Sequence, residues 1–237
     1  LCALLFTLTP MILYFGRMPN HEPLALALLL PAAALLFDDR PTARPVLRRA
    51  ASVLLAALSI WTAWAAVFFV GALAVARWLL RDRRWALVWG VVALFTPMLI
   101  IGFYITQYPD TIEALRYAWT TRTGNLAQDR LPCAGGDFVV RTLVHLASSA
   151  TLALLIIGPL GWLLALRELR GVGRRRPLVT GALLAAGLAY IILFRQVSFL
   201  HDYYKIFLLP ALAIGAHYVW VWGWNHPRWR TWARPAL

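Results

Sequence analysis

The sequence predicts an all-α protein: a polytopic bundle of transmembrane helices with about six full spans plus a short helical hairpin. Three observations lead there. First, 61% of the 237 residues are hydrophobic and only 14% are charged, against about 25% charged in an ordinary soluble domain. Second, the apolar residues fall in runs separated by Arg-rich breaks. That is the pattern of helices in lipid, where each segment must satisfy its own backbone polar groups. Third, the formal net charge of +13 is sorted between alternate breaks. Such hydrophobicity excludes a disordered chain, and the runs exceed what a soluble core of this size buries.

In order, the apolar runs are Leu1–Phe15, Leu24–Phe37, Ala51–Leu80, Trp85–Tyr104, Leu143–Leu166, Leu178–Phe194 and Ile206–Trp224. A single span needs about 20 residues. The first run is short and begins with Leu, so the chain reads as a fragment that has lost its N-terminal part. No basic n-region of a secretory signal is visible. The whole chain, 1–237, reads as one transmembrane domain, with residues 106–141 as an external loop carrying an interfacial helix. Of the 23 basic residues, Lys205 is the single Lys. That skew toward Arg, with abundant Ala and Leu, is the coding bias of a GC-rich, bacterial genome, and it places the protein in a bacterial inner membrane.

The breaks are of two kinds. Asp38–Arg49, Arg77–Arg84, Arg167–Arg176 and the tail from Asn225 hold 16 basic and 4 acidic residues, a net of +12. Gly16–Pro23, Thr106–Arg141 and Arg195–Lys205 hold 7 basic and 6 acidic residues, a net of +1. By the positive-inside rule the first kind is cytoplasmic and the second faces the periplasm or exterior. A nucleic-acid role is set aside, because the basic residues are spread among short loops between apolar spans.

The third run is tested by parity. It is 30 residues long, with Arg48-Arg49 on one flank and Arg81–Arg84 on the other. One crossing would put a basic flank outside. Thirty residues make about 45 Å of helix, too little for two full crossings. Two short helices meeting around Trp61-Thr62-Ala63-Trp64 keep both flanks inside. Trp78, Trp85, Trp89, Trp162, Trp222, Trp224, Trp229 and Trp232 fall near the cytoplasmic ends, where an indole anchors half wet. Cys2 and Cys133 read as packing residues, with no spacing that suggests zinc.

Charges at the edge of membrane segments are functional candidates, and three places qualify. The first is Arg17-Met18-Pro19-Asn20-His21-Glu22-Pro23. Glu22 directly before Pro23 puts a carboxylate at the mouth of a helix, either as a cap or as a group that binds a metal ion or a sugar hydroxyl. Arg17 and His21 accompany it. The second is Arg195–Lys205, with Arg195, His201, Asp202, Tyr203, Tyr204 and Lys205 in eleven residues. On a helix Lys205 and His201 share a side. Arg195 and Lys205 suit a phosphate clamp, and the phenols suit hydrogen bonds to it; the alternative is an interfacial aromatic and basic belt. The third is the 106–141 loop, long for an unstructured connection. Tyr108–Trp119 reads as an amphipathic interfacial helix with Asp110 near its start. Thr120–Phe138 is turn-rich and reads as a lid over a site. Asp129 and Asp137 are further acids there, each read as solvated.

At these residues the chain resembles the membrane-embedded GT-C-type glycosyltransferases that use a polyprenyl-phosphate sugar donor, such as protein O-mannosyltransferases and lipid A aminoarabinose transferases. The stretches that carry the resemblance are TPMILYFGRMPNHEPLALAL, LSIWTAWAAVFF and HDYYKIFLLPALAI. It implies sugar transfer on the periplasmic or extracellular face to a glycan, lipid or protein acceptor, with a divalent metal ion as the candidate cofactor. It implies that the family's principal catalytic carboxylate lies in an earlier external loop than this sequence contains, so that the fragment alone is expected to be inactive. Glu22 resembles the family's second acidic residue, near the donor phosphate or a metal. His201, Tyr203, Tyr204 and Lys205 resemble donor-phosphate contacts, and Arg195 is the second cation for the leaving group. The competing readings are a multi-pass transporter or flippase without covalent chemistry, which would show internal repeats and midplane breaks, and a structural subunit.

Overall fold

The computed structural model describes residues 2–15, 21–38, 40–41, 43–123, 136–170 and 174–225. Every element among them is helical: α1 (Cys2–Thr7), α2 (Pro10–Phe15), α3 (His21–Phe37), α4 (Pro45–Thr62), α5 (Ala66–Leu79), α6 (Arg83–Gln107), α7 (Thr111–Thr123), α8 (Gly136–Ala150), α9 (Leu152–Leu166), α10 (Arg175–Leu193), α11 (Arg195–Leu200) and α12 (Leu209–Asn225). Two 3₁₀ segments, Arg167–Arg170 and Asp202–Leu208, join α9 to the next loop and α11 to α12.

Three stretches are long and apolar enough to cross a bilayer: α6, α10, and Tyr203–Asn225, which contains α12. The α8–α9 pair adds a fourth only if its two halves, bent by 105°, count as one span. Helices α3 and α5 are apolar but have 17 and 14 residues. The chain is thus an all-α membrane protein, with three or four spans of sufficient length among the described residues where the runs predicted six. Along α6, Leu94 is 71% and Met98 67% exposed. Such a face would aggregate in water and is at home in lipid.

The helices sort the breaks by charge. Arg48, Arg49, Arg77 and Trp85 line one small cavity beside Leu36, and Arg175 donates to the Phe37 carbonyl at 3.1 Å. The ends of α3 and α5 and the starts of α4, α6 and α10 therefore meet at one end of the bundle, the basic end. The long apolar run does form two helices, α4 and α5, broken at Ala63, whose backbone is extended (φ −148°, ψ 128°). Helix α4 leaves the basic end and α5 returns to it, so Arg48-Arg49 and Arg81–Arg84 lie on the same side. There Arg77 donates to the Leu36 carbonyl, pairs with Asp82 at 3.3 Å and sits 5.0 Å from the Phe37 ring. Ser52 ties α4 to α3 through a buried bond to the Ala32 carbonyl, 2.9 Å.

Two runs expected as continuous helices are broken. Leu1–Phe15 splits ahead of Pro10, which brings no N–H to continue a helix. Leu143–Leu166 splits at Thr151, which takes a left-handed φ of 72°, uncommon for a β-branched residue. Its hydroxyl accepts from the Leu154 N–H at 3.4 Å and so caps α9. Helix α9 then packs on α12 through glycines. A Cβ at Gly161 would lie 1.6 Å from the Gly215 carbonyl oxygen, so only glycine permits this approach. Trp162 fastens the same pair by donating to the Ala211 carbonyl at 2.8 Å.

Two tryptophans expected as wet anchors are therefore packing residues instead: Trp162, and Trp89, which is fully buried. Trp78 and Trp85 do sit among cations, under Arg83 at 5.4 Å and Arg49 at 5.0 Å. The central core joins α3, α5, α10 and the second 3₁₀ segment through Leu26, Leu29, Phe69, Leu73, Leu183 and Phe207, with Phe69 and Phe207 rings 5.5 Å apart.

Candidate functional site

The end opposite the arginines is built around the 3₁₀ segment Asp202–Leu208, which packs against α2, α3, α8, α10 and α11. The sequence is not one continuous helix here. Helix α11 stops at Leu200, His201 is extended (φ −115°, ψ 124°), and the tighter 3₁₀ turn follows. This break leaves carbonyls at the end of α11 without helical partners. The Lys205 ammonium supplies them: it donates to the Ser198 carbonyl and, at 3.0 Å, to the His201 carbonyl. Lys205 is fully buried.

Glu22 stands in the first turn of α3, where Pro23 costs no hydrogen bond. It is 2% exposed. One carboxylate oxygen, Oε1, lies 3.2 Å from Nε2 of the exposed His21. The other, Oε2, is buried without a hydrogen-bond partner. An ionised carboxylate in that state is costly, and such an oxygen marks a place where a further donor belongs.

The 3₁₀ segment that α3 packs on carries a group of phenols. Tyr204 is buried, and its hydroxyl is hydrogen-bonded to the Tyr203 side chain. The two rings are 4.5 Å apart, and the His201 ring is 5.2 Å from Tyr203. Tyr190, near the end of α10, packs 5.6 Å from the Tyr204 ring. Arg122 comes from α7, the helix expected in the external loop, which forms at Thr111–Thr123 and packs on α11, with Trp119 edge-on to Phe194 at 5.6 Å. Arg141 of α8 stacks 4.4 Å over Phe199 of α11.

Glu22, His21, His201, Tyr203 and Tyr204 are thus brought to one end, near the start of α3. Arg195 is there too, exposed at the first residue of α11. Lys205 faces the carbonyls of its own segment. Asp110 is exposed just ahead of α7, and Asp137 is exposed in the first turn of α8. Arg17, Asp129, Cys133, most of the expected lid and the side chain of Asp202 lie outside the described residues.

Tyr190 and Arg122 were not singled out in the sequence. Tyr190 sits in an apolar run and reads as a span residue. For Arg122 a signal existed: it lies three residues after Trp119, on one helical face with the residue that meets α11.

As for a metal, no three His, Cys, Asp or Glu side chains converge among the described residues. Glu22 and His21 offer two donors, so the described residues do not by themselves make a metal site. No family model, no characterised protein and no solved structure matches the chain.

Proposed function

We propose that this end of the bundle binds the phosphate and sugar of a polyprenyl-phosphate donor, and that the protein transfers the sugar to an acceptor hydroxyl or amine. The observation that carries the reading is the buried Glu22 carboxylate with a free oxygen at the end of the bundle where α3 packs on the Tyr203–Tyr204 segment. In such a site Oε2 of Glu22 accepts a hydrogen bond from a sugar hydroxyl. The Tyr203 and Tyr204 hydroxyls and the Arg122 and Arg195 guanidiniums face the phosphate. Transfer breaks the bond between the anomeric carbon and the phosphate oxygen and forms one to the acceptor. The leaving phosphate gains charge as the bond breaks, and positioned cations stabilise that charge. The acceptor proton passes to a base. Arginine suits the task because its fork meets phosphate oxygens in pairs.

In this reading the basic end is cytoplasmic by the positive-inside rule. The site then faces the periplasm or exterior of a bacterial inner membrane, and the finer topology is six crossings plus the α4–α5 hairpin. A carboxylate at a membrane face is also where a transporter or flippase would hold its cargo.

One experiment separates the two. The full-length protein, with any external loop that carries the family's principal carboxylate, is reconstituted in vesicles with a polyprenyl-phosphate donor labelled in the sugar. A transferase moves label from the lipid to an acceptor, and Glu22→Gln lowers that rate at least about tenfold, the worth of one charged hydrogen bond. A flippase moves the intact donor between leaflets with the label still on it. Label that stays on the donor overturns the transferase reading.

A further inference from the structure

A second cavity lies at the basic end, remote from the Glu22 site. It has a volume of about 580 Å³ and lies between the end of α3, α10 and α12. Arg40, Arg175 and Arg176 line it, with Asp38 as the one acid among the described lining residues. Asp38 is already engaged, by Arg40 at 3.5 Å and Arg48 at 3.7 Å. Val179, Ile214 and Val221 add apolar lining. His217 also lines the cavity, and its Nδ1 is buried with no hydrogen-bond partner. Three guanidiniums, an apolar part of the lining and an unsatisfied imidazole nitrogen together suit a ligand that is anionic at one end and oily along its length.

We propose that this cavity holds an anionic phospholipid, with its phosphate on Arg40, Arg175 and Arg176 and its acyl chain along Val179, Ile214 and Val221. A soluble phosphate would use the arginines and leave the apolar lining bare. A zwitterionic lipid would bring its own cation against three guanidiniums. Basic pockets between helices at the cytoplasmic leaflet are where anionic headgroups collect, and arginine binds phosphate with two parallel bonds. The site owes nothing to glycosyl transfer, so it stands or falls apart from that reading.

The test uses the full chain in neutral detergent. Phosphatidylglycerol, phosphatidylcholine or inorganic phosphate is titrated while the thermal midpoint is followed. Phosphatidylglycerol raises the midpoint and the other two do not. The double substitution Arg40→Gln and Arg176→Gln spares Arg175, which also holds the Phe37 carbonyl, and weakens the phosphatidylglycerol response at least about tenfold in concentration. Equal stabilisation by phosphatidylcholine, reproduction of the effect by inorganic phosphate, or an unaltered response in the double variant overturns the proposal. A double variant that fails to fold is replaced by native mass spectrometry of the unsubstituted chain in mixed lipid. Retention of phosphatidylglycerol over phosphatidylcholine supports the site, and equal retention overturns it.

Discussion

The Lys205 ammonium donates to the carbonyl oxygen of His201, 3.0 Å away, and to that of Ser198. One side chain thus closes the end of α11 and sets the turn that carries His201, Tyr203 and Tyr204. The chain's single lysine is buried inside the segment it shapes. Lys205→Met keeps the aliphatic stem and removes the donors. Charged hydrogen bonds contribute about 1.5–3 kcal/mol each, offset in part by the cost of burying the ammonium. The thermal midpoint is expected to fall clearly. A midpoint equal to that of the unsubstituted chain would contradict this closing role.

The α9–α12 contact makes a sharper structural prediction. At Gly161 an added methyl meets the Gly215 backbone at 1.6 Å, and backbone cannot step aside as a side chain can. Gly161→Ala is expected to part the two helices, giving aggregated or poorly expressed protein by size-exclusion chromatography. Gly181 has nothing within 4 Å, so Gly181→Ala is expected to behave as the parent. Similar profiles for both variants would contradict the packing.

At the basic end, Arg77 joins the returning α5 to α3 through the Leu36 carbonyl and to the start of α6 through Asp82. Arg77→Met strands both partners and is expected to cost about 2 kcal/mol, read as a lowered midpoint. Asp82→Asn keeps the bond to Leu36 and is expected to cost less. The reverse order would mean that the ion pair, and not the carbonyl bond, holds this corner.

The hairpin gives a labelling prediction. With Cys2 and Cys133 changed to Ser, single cysteines placed at Arg44 and Arg83 are expected to react with a membrane-impermeant maleimide from the same side. Labelling from opposite sides would mean that α4 and α5 together make one crossing.

That hairpin was legible in the sequence, because a run too long for one span and too short for two sat between two basic flanks. The break at Thr151 was not. The stretch Ser148-Ser149-Ala150-Thr151 carries no Gly or Pro, and the cap became visible only in the left-handed φ. Of the site, Glu22 and the Tyr203–Tyr204 pair were legible as charge and phenols at a membrane edge. Tyr190 was not, because it reaches that edge from inside the apolar run of α10, and Arg122 could be read only from its helical face shared with Trp119. Lys205 was legible as important, but its partners were not, because a continuous helix would have turned its ammonium elsewhere. Residues from separate helices meet only once the bundle is assembled.

The central claim, a phosphate-binding site at the Glu22 end, is tested most directly by equilibrium binding of a polyprenyl monophosphate to the purified full chain and to Arg122→Gln. Loss of one charge-assisted contact lowers phosphate affinity about tenfold to a hundredfold, and the uncharged polyprenol binds both proteins alike. Equal affinity of the two proteins for the polyprenyl monophosphate would contradict the account.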